Sequence, residues 1–86
     1  MYHIVAKADW RAAPAREVLR SYGINVWTYK RNLIAVSAER HAGLHTNRYF
    51  HYVNMMMIQA GRRGKKGIDS TYDLLRDQIN HGTIIR

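Results

Sequence analysis

The chain has no cysteine, a single proline, one phenylalanine and only 6 acidic residues among 86. Without cysteine there is no disulfide framework, no thiolate nucleophile and no Cys-based zinc site, and a reducing, cytoplasmic setting is the expected one. Long apolar runs are missing too. A bilayer span needs ~20 consecutive apolar residues, whereas the stretch Tyr52 to Ala60 is already interrupted by Asn54 and Gln59. The opening Met-Tyr-His-Ile-Val-Ala-Lys-Ala is charged within eight residues and lacks the apolar core of a signal peptide. No membrane partner is expected.

Against the 6 acids stand 14 Lys and Arg, a formal charge of +8, and 47% of the residues are hydrophobic. That apolar share is enough to offset the entropy of ordering, so a folded chain is expected rather than a disordered one. Eighty-six residues support one domain, residues 1–86.

Local patterns suggest the elements. Tyr2 to Ala8 reads as a strand around Ile4 and Val5. Asp9 opens a helix that tolerates Pro14 in its first turn, carries the stripe Ala15, Val18, Leu19 and Tyr22, and ends at a Gly23 cap with Ile24 packing back. Ile24 to Tyr29 and Leu33 to Ala38, rich in β-branched and aromatic residues, read as a hairpin with the basic tip Lys30-Arg31-Asn32. Residues Glu39 to Thr46 lack clear periodicity, contain Gly43, and read as a loop or an irregular helix start. Thr46 or Asn47 caps a second helix with the stripe Tyr49 or Phe50, Val53, Met57 and Ala60, ending at Gly61. The run Gly61-Arg62-Arg63-Gly64-Lys65-Lys66-Gly67 reads as a flexible basic surface loop over 61–67. Asp69 or Ser70 then starts a third helix with Tyr72, Leu75 and Ile79 inward, stopped by Gly82, and Thr83 to Arg86 is long enough for a last strand. The order strand, helix, strand, strand, helix, helix, strand is that of a ferredoxin-like α+β sandwich, with helices on one face of an antiparallel sheet. If the last strand is absent, the alternative is a three-stranded sheet with a C-terminal helical hairpin.

Function is approached through the clustered charge. Arg62, Arg63, Lys65 and Lys66 in the glycine-rich run, with Lys30 and Arg31 at the hairpin tip, form a surface suited to phosphates. Trp27 and Tyr29 offer base-stacking rings, which favours RNA or single-stranded DNA. The third strand, Asn32 to Ser37, has no aromatic residue, so an RNA-recognition domain is not expected. Five histidines raise the question of a metal. His41 and His45 are four apart, yet Gly43 lies between them and Ala42 follows His41 where a zincin pattern needs Glu, so they read as surface histidines and no metal site is assigned. No acid pair, phosphate loop or nucleophile motif stands out; no catalytic residue and no cofactor are assigned, and the expectation is a small non-enzymatic nucleic-acid-binding protein.

The alternative is a regulator or inhibitor, of the kind phages and mobile elements encode, that docks its basic surface on an acidic face of a nucleic-acid-processing complex. The stretch Lys7 to Trp27, with Ala15, Val18 and Leu19 inside a helix followed by Gly23-Ile24-Asn25-Val26, resembles the opening of NusG-type transcription-factor N-terminal domains over under a quarter of the chain. That resemblance implies RNA polymerase as such a partner. Finally, Met55, Met56 and Met57 are consecutive and so point three ways on a helix. With Tyr52 they make Met55 and Met56 interface candidates, for a homodimer through the 47–60 helix.

Overall fold

The computed structural model describes residues 1–86. Helices dominate it: α1 (Ala13–Ser21), α2 (Ala38–Leu44), α3 (Asn47–Gly61) and α4 (Gly64–His81), with 3-10 turns at Trp10–Ala12 and Lys30–Asn32. The only sheet pairs β1 (Tyr2–His3) with β2 (Leu33–Ile34), antiparallel, with Tyr2 opposite Ile34 and His3 opposite Leu33.

Helix ends follow local chemistry. The Asp9 carboxylate accepts from the Arg11 amide and caps the 3-10 turn that feeds α1, where Pro14 lies in the first turn. Ser37 caps α2 by accepting from the Arg40 amide, and Thr46 caps α3 by accepting from the Tyr49 amide. Gly23 and Gly82, at φ +72° and +71°, follow α1 and α4 as expected. Helix α3 buries Tyr49, Phe50, Val53, Met57 and Ala60 and is the central element, packed against both α1 and α4. Leu19 of α1 and Ile68, Tyr72, Leu75 and Ile79 of α4 complete the core with Ile4 and Val5. Each fully buried aliphatic side chain of this kind contributes roughly 1.5–3 kcal/mol.

The ferredoxin-like sandwich is therefore incorrect, and the reasons are local. Ile24 to Tyr29 never becomes a strand because Asn25 captures the backbone. Its side-chain oxygen accepts from the Trp27 amide at 2.9 Å, and its carbonyl accepts from Thr28 and Tyr29. Asn32, fully buried, then takes the bonds a neighbouring strand would have made. Its Oδ1 accepts from the Val5 amide at 2.8 Å, and its Nδ2 donates to the carbonyls of Val5 at 3.1 Å and Val26 at 2.8 Å. Tyr2 to Ala8 and Leu33 to Ala38 shrink to two paired residues each, and Thr83 to Arg86 is not a strand. The three-stranded alternative fails on the same count, although its helical hairpin exists as α3 and α4.

Two further differences matter for the site. Ala38, expected at the end of a strand, and residues 39–44, expected as a loop or an irregular helix start, form α2, whose Ser37 cap the sequence reading passed over. The basic glycine-rich run is not one loop: Gly64, at φ +80°, turns the chain, and Lys65 to Gly67 already belong to α4. Gly67 is there for closeness, since a Cβ at this position would lie 2.6 Å from the Arg63 Cβ and 2.9 Å from the Ala60 carbonyl oxygen. Neither Asp69 nor Ser70 caps a helix; both lie inside α4.

Candidate active site

Pairing β1 with β2 and setting Tyr2 of β1 against α2 and the start of α3 gathers side chains that are far apart in sequence. Tyr2, buried, sets its ring edge-on against His41 (centroids 4.8 Å, planes at 72°), His45 (5.9 Å) and Tyr49 (6.1 Å). The His41 and His45 rings are 4.9 Å apart, one turn from each other around the end of α2. The Tyr49 hydroxyl donates to the Ile4 carbonyl at 2.6 Å and holds β1 onto α3.

Charge is arranged on the far side of His45. Its ring meets Phe50 edge-on at 5.8 Å, and the Arg11 guanidinium carbon lies 4.2 Å from the Phe50 centroid. Arg11 is fixed by Asp9 through Nε to Oδ1 (3.1 Å) and Nη2 to Oδ2 (2.9 Å), and by Asn47 through Nη1 to Oδ1 (2.9 Å). Those Arg11 bonds hold the Asp9 carboxyl down at about 2. Burial, then the His41 charge, lowers the His45 pKa from its ordinary value, with Asp9 opposing. Burial pushes the Tyr2 phenol up to about 12, so it stays neutral.

Successive residues of a strand point to opposite faces, so β1 offers the phenol to the histidine pair and turns His3 elsewhere. The His3 Nε2 lies 3.3 Å from the Trp27 carbonyl oxygen. A carbonyl only accepts, so Nε2 carries the hydrogen and, in the neutral ring, Nδ1 keeps a lone pair able to take a proton. Asn32 bonds both Val5, just after β1, and Val26, just before Trp27, and so fixes both ends of this contact.

The nucleic-acid candidates fall into three places. Tyr29, Arg31 and Lys65 converge on Asp69: the Tyr29 hydroxyl donates to its carboxylate, Lys65 Nζ donates to Tyr29 Oη at 3.1 Å and lies 3.4 Å from Asp69, and Arg31 lies 3.7 Å from it. With Lys30 they line a groove of about 510 Å³ between the 22–31 segment and the start of α4. Trp27 stands apart on its own turn, exposed. Arg63 folds back onto Thr71 Oγ1 at 3.2 Å, while Arg62 and Lys66 are solvent-exposed. Among the interface candidates, Tyr52 is half-buried and donates to Gln78 Oε1 at 2.9 Å, Met56 packs on the core, and Met55 is exposed. The apolarity all round α3 is met largely inside the chain, by α1 and α4. His3, Arg11, His41 and His45 were missed as a group, although the i, i+4 histidine spacing was visible.

Divalent cations serve many phosphodiester-cleaving sites as Lewis acids. The donors here do not build such a site from the protein. His41 and His45 supply two imidazoles, Asp9 is engaged by Arg11, Tyr2 is neutral, and nowhere do three His, Cys, Asp or Glu side chains converge.

Residues 2–80 match the model of a family described as AHH, a nuclease family of the HNH/ENDO VII superfamily with conserved AHH. No curated protein and no solved structure matches. The chain contains no Ala-His-His run; its histidine at the start of the matched region, His3, follows Met1-Tyr2. The match covers nearly the whole chain, points to an enzyme, and overturns the expectation of a non-enzymatic binder. A relation to nucleic acid stands. The NusG-type resemblance rested on a strand, helix, glycine cap and second strand, of which the second strand does not exist.

Proposed function

The chain belongs to the AHH nuclease family of the HNH/ENDO VII superfamily, and we propose on that premise that it hydrolyses nucleic-acid phosphodiesters with His3 as the general base. The observation that carries this reading is the His3 contact with the Trp27 carbonyl, which fixes one tautomer and leaves Nδ1 as the proton acceptor. In the reaction, Nδ1 takes a proton from water, the hydroxide adds to phosphorus, one P–O ester bond breaks, and the leaving oxygen is protonated from solvent. Charge gathers on the phosphoryl oxygens as this happens.

Arg11 is suited to meet that charge. Three of its N–H donors are engaged by Asp9 and Asn47, and a guanidinium has five, so donors remain while the group is held rigid. His45, which shares Phe50 with Arg11, and its neighbour His41 are exposed and supply further N–H donors. Pre-positioned donors of this kind act without reorganising as the reaction proceeds.

The test is cleavage of plasmid DNA and of a labelled RNA by the wild type, His3→Ala and His3→Gln. Loss of a general base lowers the rate by ~10²–10⁴-fold, with the folded state intact by circular dichroism. Wild-type protein that cleaves neither substrate, or a His3→Ala variant within threefold of wild type, would refute the proposal.

A further inference from the structure

The only two tryptophans of the chain are both left in water: Trp10 is 81% exposed and Trp27 57%. The core is built instead from aliphatic residues and the buried aromatics Tyr2, Tyr49, Phe50 and Tyr72. Tryptophan is enriched at contact surfaces, where its apolar ring and its N–H can both find partners. Their attachment points sharpen the matter. Trp27 is tied through its carbonyl to the His3 ring, and Trp10 is covalently next to Arg11.

Trp27 is also held ready. The Asn25 side chain accepts from its amide at 2.9 Å, the Thr28 and Tyr29 amides close the turn onto the Asn25 carbonyl, and Asn32 grips the preceding Val26. Lys7 places its ammonium 4.5 Å from the indole centroid, which orients the ring and puts a positive charge beside it. Trp10 opens the 3-10 turn capped by Asp9, and the residue after it, Arg11, turns its guanidinium onto Phe50. The Trp27 indole is thus an aromatic surface paired with a cation, the combination that takes up a base on its face and the adjoining phosphate on the charge, and Trp10 adds a second exposed ring on the segment that carries Arg11. A duplex hides its base faces in the stack; an unpaired strand offers them.

We infer that Trp27 and Trp10 are base-stacking platforms flanking the site, and that they make unpaired nucleic acid, rather than duplex, its substrate. The inference rests on the nuclease reading, since the site the two rings flank is the one proposed around His3. Trp27, held rigidly beside the proposed base, is the positioning residue of the pair.

The experiment uses His3→Gln protein, which keeps a side-chain N–H for the Trp27 carbonyl, to prevent turnover. Trp10→Phe and Trp27→Phe in that background leave one reporter each. Their fluorescence is followed during titration with a 12-residue oligodeoxythymidine, a 12-residue oligouridine and a blunt 12-base-pair duplex. Both reporters are expected to be quenched by the single strands, with the duplex binding at least tenfold more weakly, and the two single-stranded arms distinguish DNA from RNA. Trp27→Ala is expected to weaken single-strand binding by five- to a hundredfold with its melting temperature unchanged. Absence of quenching, equal or tighter duplex binding, or an unchanged affinity in both Trp27→Ala and Trp10→Ala would overturn the inference. Quenching in a protein whose wild type cleaves nothing would instead leave the platforms standing and sink the nuclease reading.

Discussion

Asn32 offers the sharpest test of how this small fold holds its site. It is fully buried, and its amide closes three hydrogen bonds with the backbone of Val5 and Val26, none longer than 3.1 Å. Asn32→Ala leaves the Val5 amide and two carbonyls without partners. An unsatisfied buried polar group costs about 1–3 kcal/mol, and partial entry of water reduces the sum, so a loss of roughly 3–5 kcal/mol is expected. A chain of this length has about 4–13 kcal/mol of stability in all, and the variant should sit near its folding threshold.

Asn32→Asp separates hydrogen bonding from size. It keeps the shape and the acceptor for the Val5 amide but sets a second oxygen against the Val5 and Val26 carbonyls, a geometry that favours the protonated acid. The folded-state pKa of the new Asp is then raised above its unfolded value, so its stability is present at low pH and lost as pH rises through the folded pKa. Urea unfolding followed by circular dichroism at pH 5 and pH 8 reads both variants. Asn32→Asp should be clearly less stable at pH 8 than at pH 5, against the wild-type trend. A cost under ~1.5 kcal/mol for Asn32→Ala, together with no such pH dependence in Asn32→Asp, would refute the reasoning.

Gly67→Ala is expected to cost roughly 1–3 kcal/mol, because the new methyl meets the Arg63 Cβ and the Ala60 carbonyl oxygen and must pry α3 from α4. Gly43→Ala, inside α2 with nothing within 4 Å of the new methyl, should instead gain about 0.5–1 kcal/mol; urea unfolding of the pair checks the contrast, and equal effects would contradict it. The folded-state pKa of His45 lies below its ordinary 6.5, through burial and then His41 and Arg11, with Asp9 acting the other way. The unfolded chain therefore takes up its proton first as pH falls, and this contribution to stability is present above pH 6.5 and lost below it. Melting temperatures at pH 7.5, 6 and 5 should fall more steeply for wild type than for His45→Gln; parallel curves would show that His45 does not carry the effect.

Much of the helical part was legible from local chemistry alone. A cap at Thr46, a spacing such as Tyr49, Val53, Met57 and Ala60, and a glycine at 23 or 82 each act within a few residues, and each behaves in the fold as its neighbours suggest. The sheet was misread because Ile24 to Tyr29 has strand composition while one residue, Asn25, closes it into a turn. The basic run was misread because glycine serves both mobility and close packing, and at Gly67 the neighbours that decide between them belong to α3 and the turn.

The sequence by itself determined that this chain is small, basic, free of cysteine and built around amphipathic helices with identifiable ends. Those properties depend on composition and on contacts a few residues long. Tertiary structure alone decided where chemistry could happen. Tyr2, Arg11, His41 and Phe50 come from four separate segments, and the His3 ring acquires its tautomer from a carbonyl 24 residues away. A histidine read alone is a surface residue; only the fold shows which of its nitrogens has an acceptor opposite it.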